Sequence, residues 1–180
     1  MDEEAVIAAM REWIEKAVIG LNLCPFAKAV HVKNQVRYVV SRAPHLDGLL
    51  EDLDRELDFL AAADPAEIDT TLLIHPALLA DFLDFNDFLQ LAEAAVGEHG
   101  LEGVIQIASF HPRFQFEGTA PDDIGNYTNR APFPTLHLLR EASLERAVAA
   151  FPEAGTIYQR NIETLQRLGI EGWQALWCKP

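Results

Sequence analysis

Apolar positions between residues 3 and 21 recur at Val6/Ile7, Met10, Trp13/Ile14, Ala17/Val18 and Leu21. Steps of three and four predict one amphipathic helix with a wide apolar stripe, ended by Gly20 and Pro25. The period then shortens to two: Val36, Tyr38 and Val40 alternate with Gln35 and Arg37, a strand over about 35–41. A second helical stripe at positions 46, 49, 50, 53, 57, 60 and 61 spans 46–63 and stops at Asp64-Pro65. Residues 70–75 (TTLLIH) read as a strand closed by Pro76, and 77–98 as a helix, with a candidate break at 84–86. Strands follow at 104–110 and 134–139. Ser143 is a candidate cap for a short helix ending near Phe151-Pro152. Thr156-x-x-Gln159 reads as a capping box opening a helix to Leu168, with Gly169 as its stop and Trp173 and Trp177 packing back on the body.

The order is thus α-β-α-β-α-β, a long loop, then β-α-α. Strand–helix–strand units favour parallel pairing through right-handed crossovers, and the strand after the long loop pairs antiparallel or reaches an edge. The expected fold is α+β: one domain over residues 1–180 with a small mixed four-stranded sheet and helices mainly on one face. The nearest named architecture is ferredoxin-like, by analogy. No apolar run approaches the roughly 20 residues of a membrane span, and no export signal is visible at the acidic start Asp2-Glu3-Glu4.

Two strands finish in the same dipeptide, Ile74-His75-Pro76 and Phe110-His111-Pro112. A residue before proline is held extended, and proline cannot donate to a ladder, so each histidine ends its strand. If the strands are parallel, His75 and His111 share one sheet edge with Arg42, which follows the first strand. His137, three residues past Pro134, would lie roughly 10 Å in along the fourth strand. The 23 residues between Phe110 and Pro134 are too many for a simple turn and carry Arg113, Asn129 and Arg130.

Two chemistries suit that group. His75, His111 and His137 can together hold a divalent metal such as zinc with one position open. Alternatively one of them serves as general acid or base in a hydrolysis or isomerisation, while Arg113, Arg130, Asn129 and Arg42 bind a small anionic molecule, arginine forks gripping it bidentately. The spacing contains no compact metal motif. In the opposing reading, the histidines bond loop carbonyls, the arginines tie the loop down, and the chain is a non-catalytic binding or homo-oligomeric interaction protein. Cys24, in the turn after the first helix, is a candidate thiol; it does not sit at the helix N-terminus that would lower its pKa. A redox role would need Cys24 and Cys178, which form no Cys-x-x-Cys motif, and free thiols fit a cytoplasmic protein.

The net charge is −14, and residues 44–100 hold fourteen acidic residues against the single base Arg55. The acidity therefore belongs to the middle helices, not to the candidate site. Such a surface repels phosphate backbones, and no basic stripe interrupts it, so nucleic acid is not expected as a partner.

The segments GLNLCPFA (20–27), SFHPRFQFEG (109–118) and DDIGNYTNRAPFPTLHLLRE (122–141) resemble an uncharacterised bacterial family, domain of unknown function 1415. The likeness covers essentially the whole chain. It implies a stand-alone cytoplasmic protein and no particular activity, so it assigns no catalytic residue.

Overall fold

The computed structural model describes residues 2–151 and 153–177. The first apolar stripe forms α1 (Glu3–Trp13) and then widens into a π-helical segment (Ile14–Ile19), where the amides of Gly20 and Leu23 donate five residues back, to Glu15 and Val18. After the Cys24-Pro25 turn comes α2 (Ala27–Val32), a short helix that no periodicity announced. The chain continues through β1 (Val36–Val40), α3 (Leu46–Ala62), β2 (Thr70–Ile74), α4 (Phe82–Glu98), β3 (Ile105–Phe110), β4 (Thr135–Arg140), α5 (Glu141–Ala149) and α6 (Ile157–Ala175).

Several boundaries differ from the sequence reading for local reasons. α4 starts only after a turn in which Leu79 adopts φ 57°; Asp81 caps it by accepting the Leu83 amide at 2.9 Å, and it runs unbroken past 84–86. α5 leaves β4 without a loop, so Ser143 is no cap, and its hydroxyl donates to Asp69 Oδ1 at 2.6 Å instead. The capping box is not made: Thr156 Oγ1 donates to Glu153 O. Gly169, at φ 67° and ψ 174°, stops the first helical run of α6 as expected, and the helix that resumes beyond it brings Trp173 edge-on to Tyr127 at 5.2 Å. Only glycine adopts that backbone conformation cheaply.

The four strands form one mixed sheet in the order β1-β2-β4-β3. β1 and β2 are parallel; β4 runs antiparallel to both β2 and β3 and stands between them. This is the expected α+β fold with a mixed four-stranded sheet. The ferredoxin-like comparison remains an analogy, since the β-α-β-β-α-β order of that fold is not followed here.

The helices are not gathered on one face, as the sequence suggested; they cover both. α3 and α4 pack Leu53, Leu57, Phe85 and Phe88 on Leu73, Leu136 and Leu138 of the sheet. α1, the π segment and α6 pack Met10, Trp13 and Leu165 with Leu72 and Ile74 on the other side. The cause is visible in β2, whose five residues are all buried; a strand apolar on both sides needs cover on both. Arg37 adds a tie from β1 to α3, gripping the largely buried Glu56 through Nε at 2.7 Å and Nη2 at 3.0 Å. The second layer is incomplete, and beyond Leu72, toward the amino ends of β1 and β2, the sheet face lies open.

Candidate functional site

The expected histidine trio divides across the sheet. β2 and β3 do end at one rim, and His75 and His111 do come together there, with the His75 amide bonded to Pro134 O at 3.1 Å. Both rings turn toward α4, where Phe85 lies 5.8 Å from the His75 ring and 5.1 Å from the His111 ring. They are sealed, at 1% and 0% exposure. His137 projects from the opposite face: Leu136 and Leu138 join the α3/α4 core, so the residue between them must point the other way. The three-histidine metal centre is therefore not assembled. Among the described residues, no group of three or more His, Cys, Asp or Glu is placed to hold a metal ion.

His111 is a structural residue with both nitrogens used. Nδ1 accepts the Arg113 amide at 2.9 Å, which leaves Nε2 as the donor to Leu79 O at 3.0 Å. Burial pulls its pKa below the ordinary imidazole value. In His75 neither nitrogen has a hydrogen-bond partner of good geometry. Its pKa falls to about 4: burial is the main cause, the nearby Leu78 backbone opposes it, and the neighbouring His111 adds a smaller push downward.

The arginines expected to bind a ligand mostly tie the long loop in place. Arg130 lies 4.1 Å over the Tyr127 ring and donates to Phe114 O and, at 2.6 Å, to Pro121 O. Arg113 reaches Ala80 O at 2.5 Å and Asp81 Oδ2 at 3.4 Å. Asn129 bridges β3 and the loop, its Nδ2 donating to Ser109 O while its carbonyl accepts the His111 amide. Arg42 is well exposed and pairs with Glu3 at 2.8 Å. Inside the loop, fully buried Asn126 accepts from the Phe116 amide and Thr119 Oγ1 and donates to Ala120 O. That knot replaces a core of the loop's own, and nothing in an isolated Asn announces it.

A large concave feature among the described residues lies elsewhere. A cleft of about 960 Å³ opens on the face carrying His137. Its floor is Val36, Thr70, Leu72, Ala108, Phe110, His137 and Leu139, drawn from all four strands. One wall is Trp13, Ile14 and Val18 with the turn through Cys24 and Phe26, so the π segment bounds the opening. The other wall is Leu144, Ala147 and Phe151, from α5 and the residues after it. Phe26 and Phe151 meet edge to face at 5.9 Å, across the two walls.

The polar end of this cleft lies at the amino ends of β1 and β2. Asp69 accepts from Ser143, whose Oγ accepts from Arg146 at 3.0 Å; Lys33 and Gln35 stand beside them. Arg140 also borders the cleft, although its guanidinium turns away to the carbonyls of Ala63 at 2.7 Å and Ile68 at 3.2 Å. Cys24 lines the cleft as a thiol: burial pushes its pKa up, against the smaller effect of the Phe26 and Ala27 amides. Cys178, its proposed redox companion, lies outside the described residues.

Thr70 is the polar partner that sequence reasoning missed. It is a diagonal neighbour of His137 across the β2–β4 ladder, where Thr70 faces Leu139 and Leu72 faces His137. Thr70 Oγ1 donates to Leu138 O at 2.6 Å and lies 2.7 Å from His137 Nε2. Desolvation alone takes the pKa of His137 down to about 4. Directly opposite on β3, Ala108 is small enough to leave the imidazole open to the cleft.

These features define the class: an α+β protein with helices on both faces of a mixed sheet and an apolar cleft over one of them. A family model described as protein of unknown function, DUF1415, matches residues 5–175, and the chain belongs to that family. No curated protein and no solved structure matches it. Among the described residues, no helix is long and apolar enough to cross a membrane.

Proposed function

We propose that this protein binds a small amphipathic anion in the cleft, its apolar body over Leu72, Ala108 and Phe110 and its negative end toward Lys33 and Arg146. The observation that carries the reading is a reversal of local charge. In a chain of net charge −14, the cleft is bordered by Lys33 and Arg146 against Asp69 alone, the guanidinium of Arg140 turning away. The volume suits an organic ligand, since such sites typically span about 300–1,000 Å³ with apolar walls and few polar groups. Acid–base chemistry of the hydrolase or isomerase kind would fall to His137, the one imidazole on the cleft floor.

The test is a thermal-shift and calorimetric series with three probes of one shape: 2-naphthoate, 2-naphthalenemethanol and 2-naphthylmethylammonium. The anion is expected to bind best and the cation worst; a ligand at a hundred times its Kd stabilises the folded chain by about 2.7 kcal/mol. The double variant K33E/R146E should invert that order, and Ala108→Trp, which fills the floor, should abolish binding of all three. Equal affinity for the three probes, or none for any, would sink the proposal.

A further inference from the structure

Resting on that reading of the cleft, we infer that His137 sorts its ligands by a hydrogen-bond donor: the molecule it accepts carries a hydroxyl or N–H within its apolar body. The argument is one of proton counting. A threonine hydroxyl has a single hydrogen. Thr70 gives it to Leu138 O, which can only accept, so Thr70 Oγ1 must in turn accept from His137 Nε2–H. A neutral imidazole protonated at Nε2 keeps a lone pair at Nδ1. Nδ1 has no partner among the described residues and is not one of the buried nitrogens that lack one, and the partly exposed side chain borders the cleft.

The lone pair of Nδ1 is therefore offered to whatever lies over Ala108 and Leu72. An apolar body that covers it strips away water and returns nothing, whereas a hydroxyl or N–H restores the bond. Sites that present a buried hydrogen-bonding group reject analogues lacking the complementary one far more strongly than apolar sites reject a missing methylene. The ligand class is thus an aromatic or aliphatic carboxylate, or a similar anion, with a donor between its two ends. Thr70 is the positioning residue, acting through the imidazole.

Affinities of 2-naphthoate and its monohydroxy isomers for the full chain test this. At least one isomer should bind about tenfold more tightly than the parent. His137→Phe should erase that advantage, read as the ratio of isomer to parent affinity within the variant, Thr70→Val should reduce the ratio, and Thr70→Ser, which keeps the hydroxyl, should restore it. Independently of any ligand, ¹⁵N spectra of the imidazole should show the Nε2–H tautomer in the unaltered protein and in T70S, and a mixture in T70V. If 2-naphthoate binds and no isomer gains, the inference fails while the cleft proposal stands. If none of the compounds binds, the cleft proposal itself fails and takes the inference with it. An Nδ1–H tautomer in the unaltered protein overturns the inference alone.

Discussion

His75 and His111 end two strands in the same dipeptide and sit against the same Phe85, yet they contribute to stability in different ways. His111 satisfies one amide and one carbonyl, so His111→Leu should lower stability by about 2–3 kcal/mol, as both groups lose their partner inside the protein. His75 satisfies neither nitrogen, so His75→Leu should be neutral or stabilising by about 1 kcal/mol at pH 7, measured by urea unfolding. The pH dependence has a definite sign. The unfolded chain protonates His75 near the ordinary imidazole value, about 6.5, while the folded chain resists down to about 4. Between those values the unfolded state holds more protons. The stability from neutral His75 is therefore fully present above pH 6.5 and is lost as pH falls toward 4, by about 3 kcal/mol, and H75L should flatten that slope. His99 runs the other way: its bond to Asp58, with Asp54 helping, raises its pKa, so its contribution is present at acid pH and lost as pH rises through the raised value.

Among the elements, α5 is held to the interior only lightly. None of its nine residues is buried, it leaves β4 without a loop, and Ser143–Asp69 and Phe26–Phe151 hold it over the cleft. Its amides should exchange with solvent orders of magnitude faster than those of β2 and β4, and a cleft ligand should slow them selectively. The other elements differ in how far the sequence announced them. Helices with a full apolar stripe, α1 and α3, were legible because a buried face writes its period into the chain. α2 was not, having six residues and no buried one. The His-Pro strand ends were legible because proline acts locally. The face on which His137 emerges was not, because β2 and β4 carry apolar residues on both sides and alternation alone does not say which set of side chains meets which layer. Thr70 could be found only once β4 was known to lie beside β2, a matter of strand order that no local pattern encodes. The arginines misled for a related reason: a fork that could clamp an anion serves equally to tie carbonyls, as Arg130 does.

At the scale of the whole molecule, the sheet separates two electrostatic environments. α3 and α4 carry most of the fourteen acidic residues of the middle segment, and the cation-bordered cleft opens on the opposite face. Crowded like charge destabilises the compact state, so raising salt from about 20 to about 300 mM at pH 7 should raise the melting temperature by screening it. The placement of β4 sets a constraint of another kind. β3 touches the rest of the sheet only through β4, and the second edge of β2 stays bare until β4 arrives, pairing Leu72 with His137. During synthesis the first hundred-odd residues can emerge as two crossover units and still lack the seam that joins them. Folding is then slow and nearly all-or-none, because closure must wait for a late, distant segment, and a nascent chain stalled before Thr135 would expose a sticky β2 flank that invites chaperones or its own neighbours.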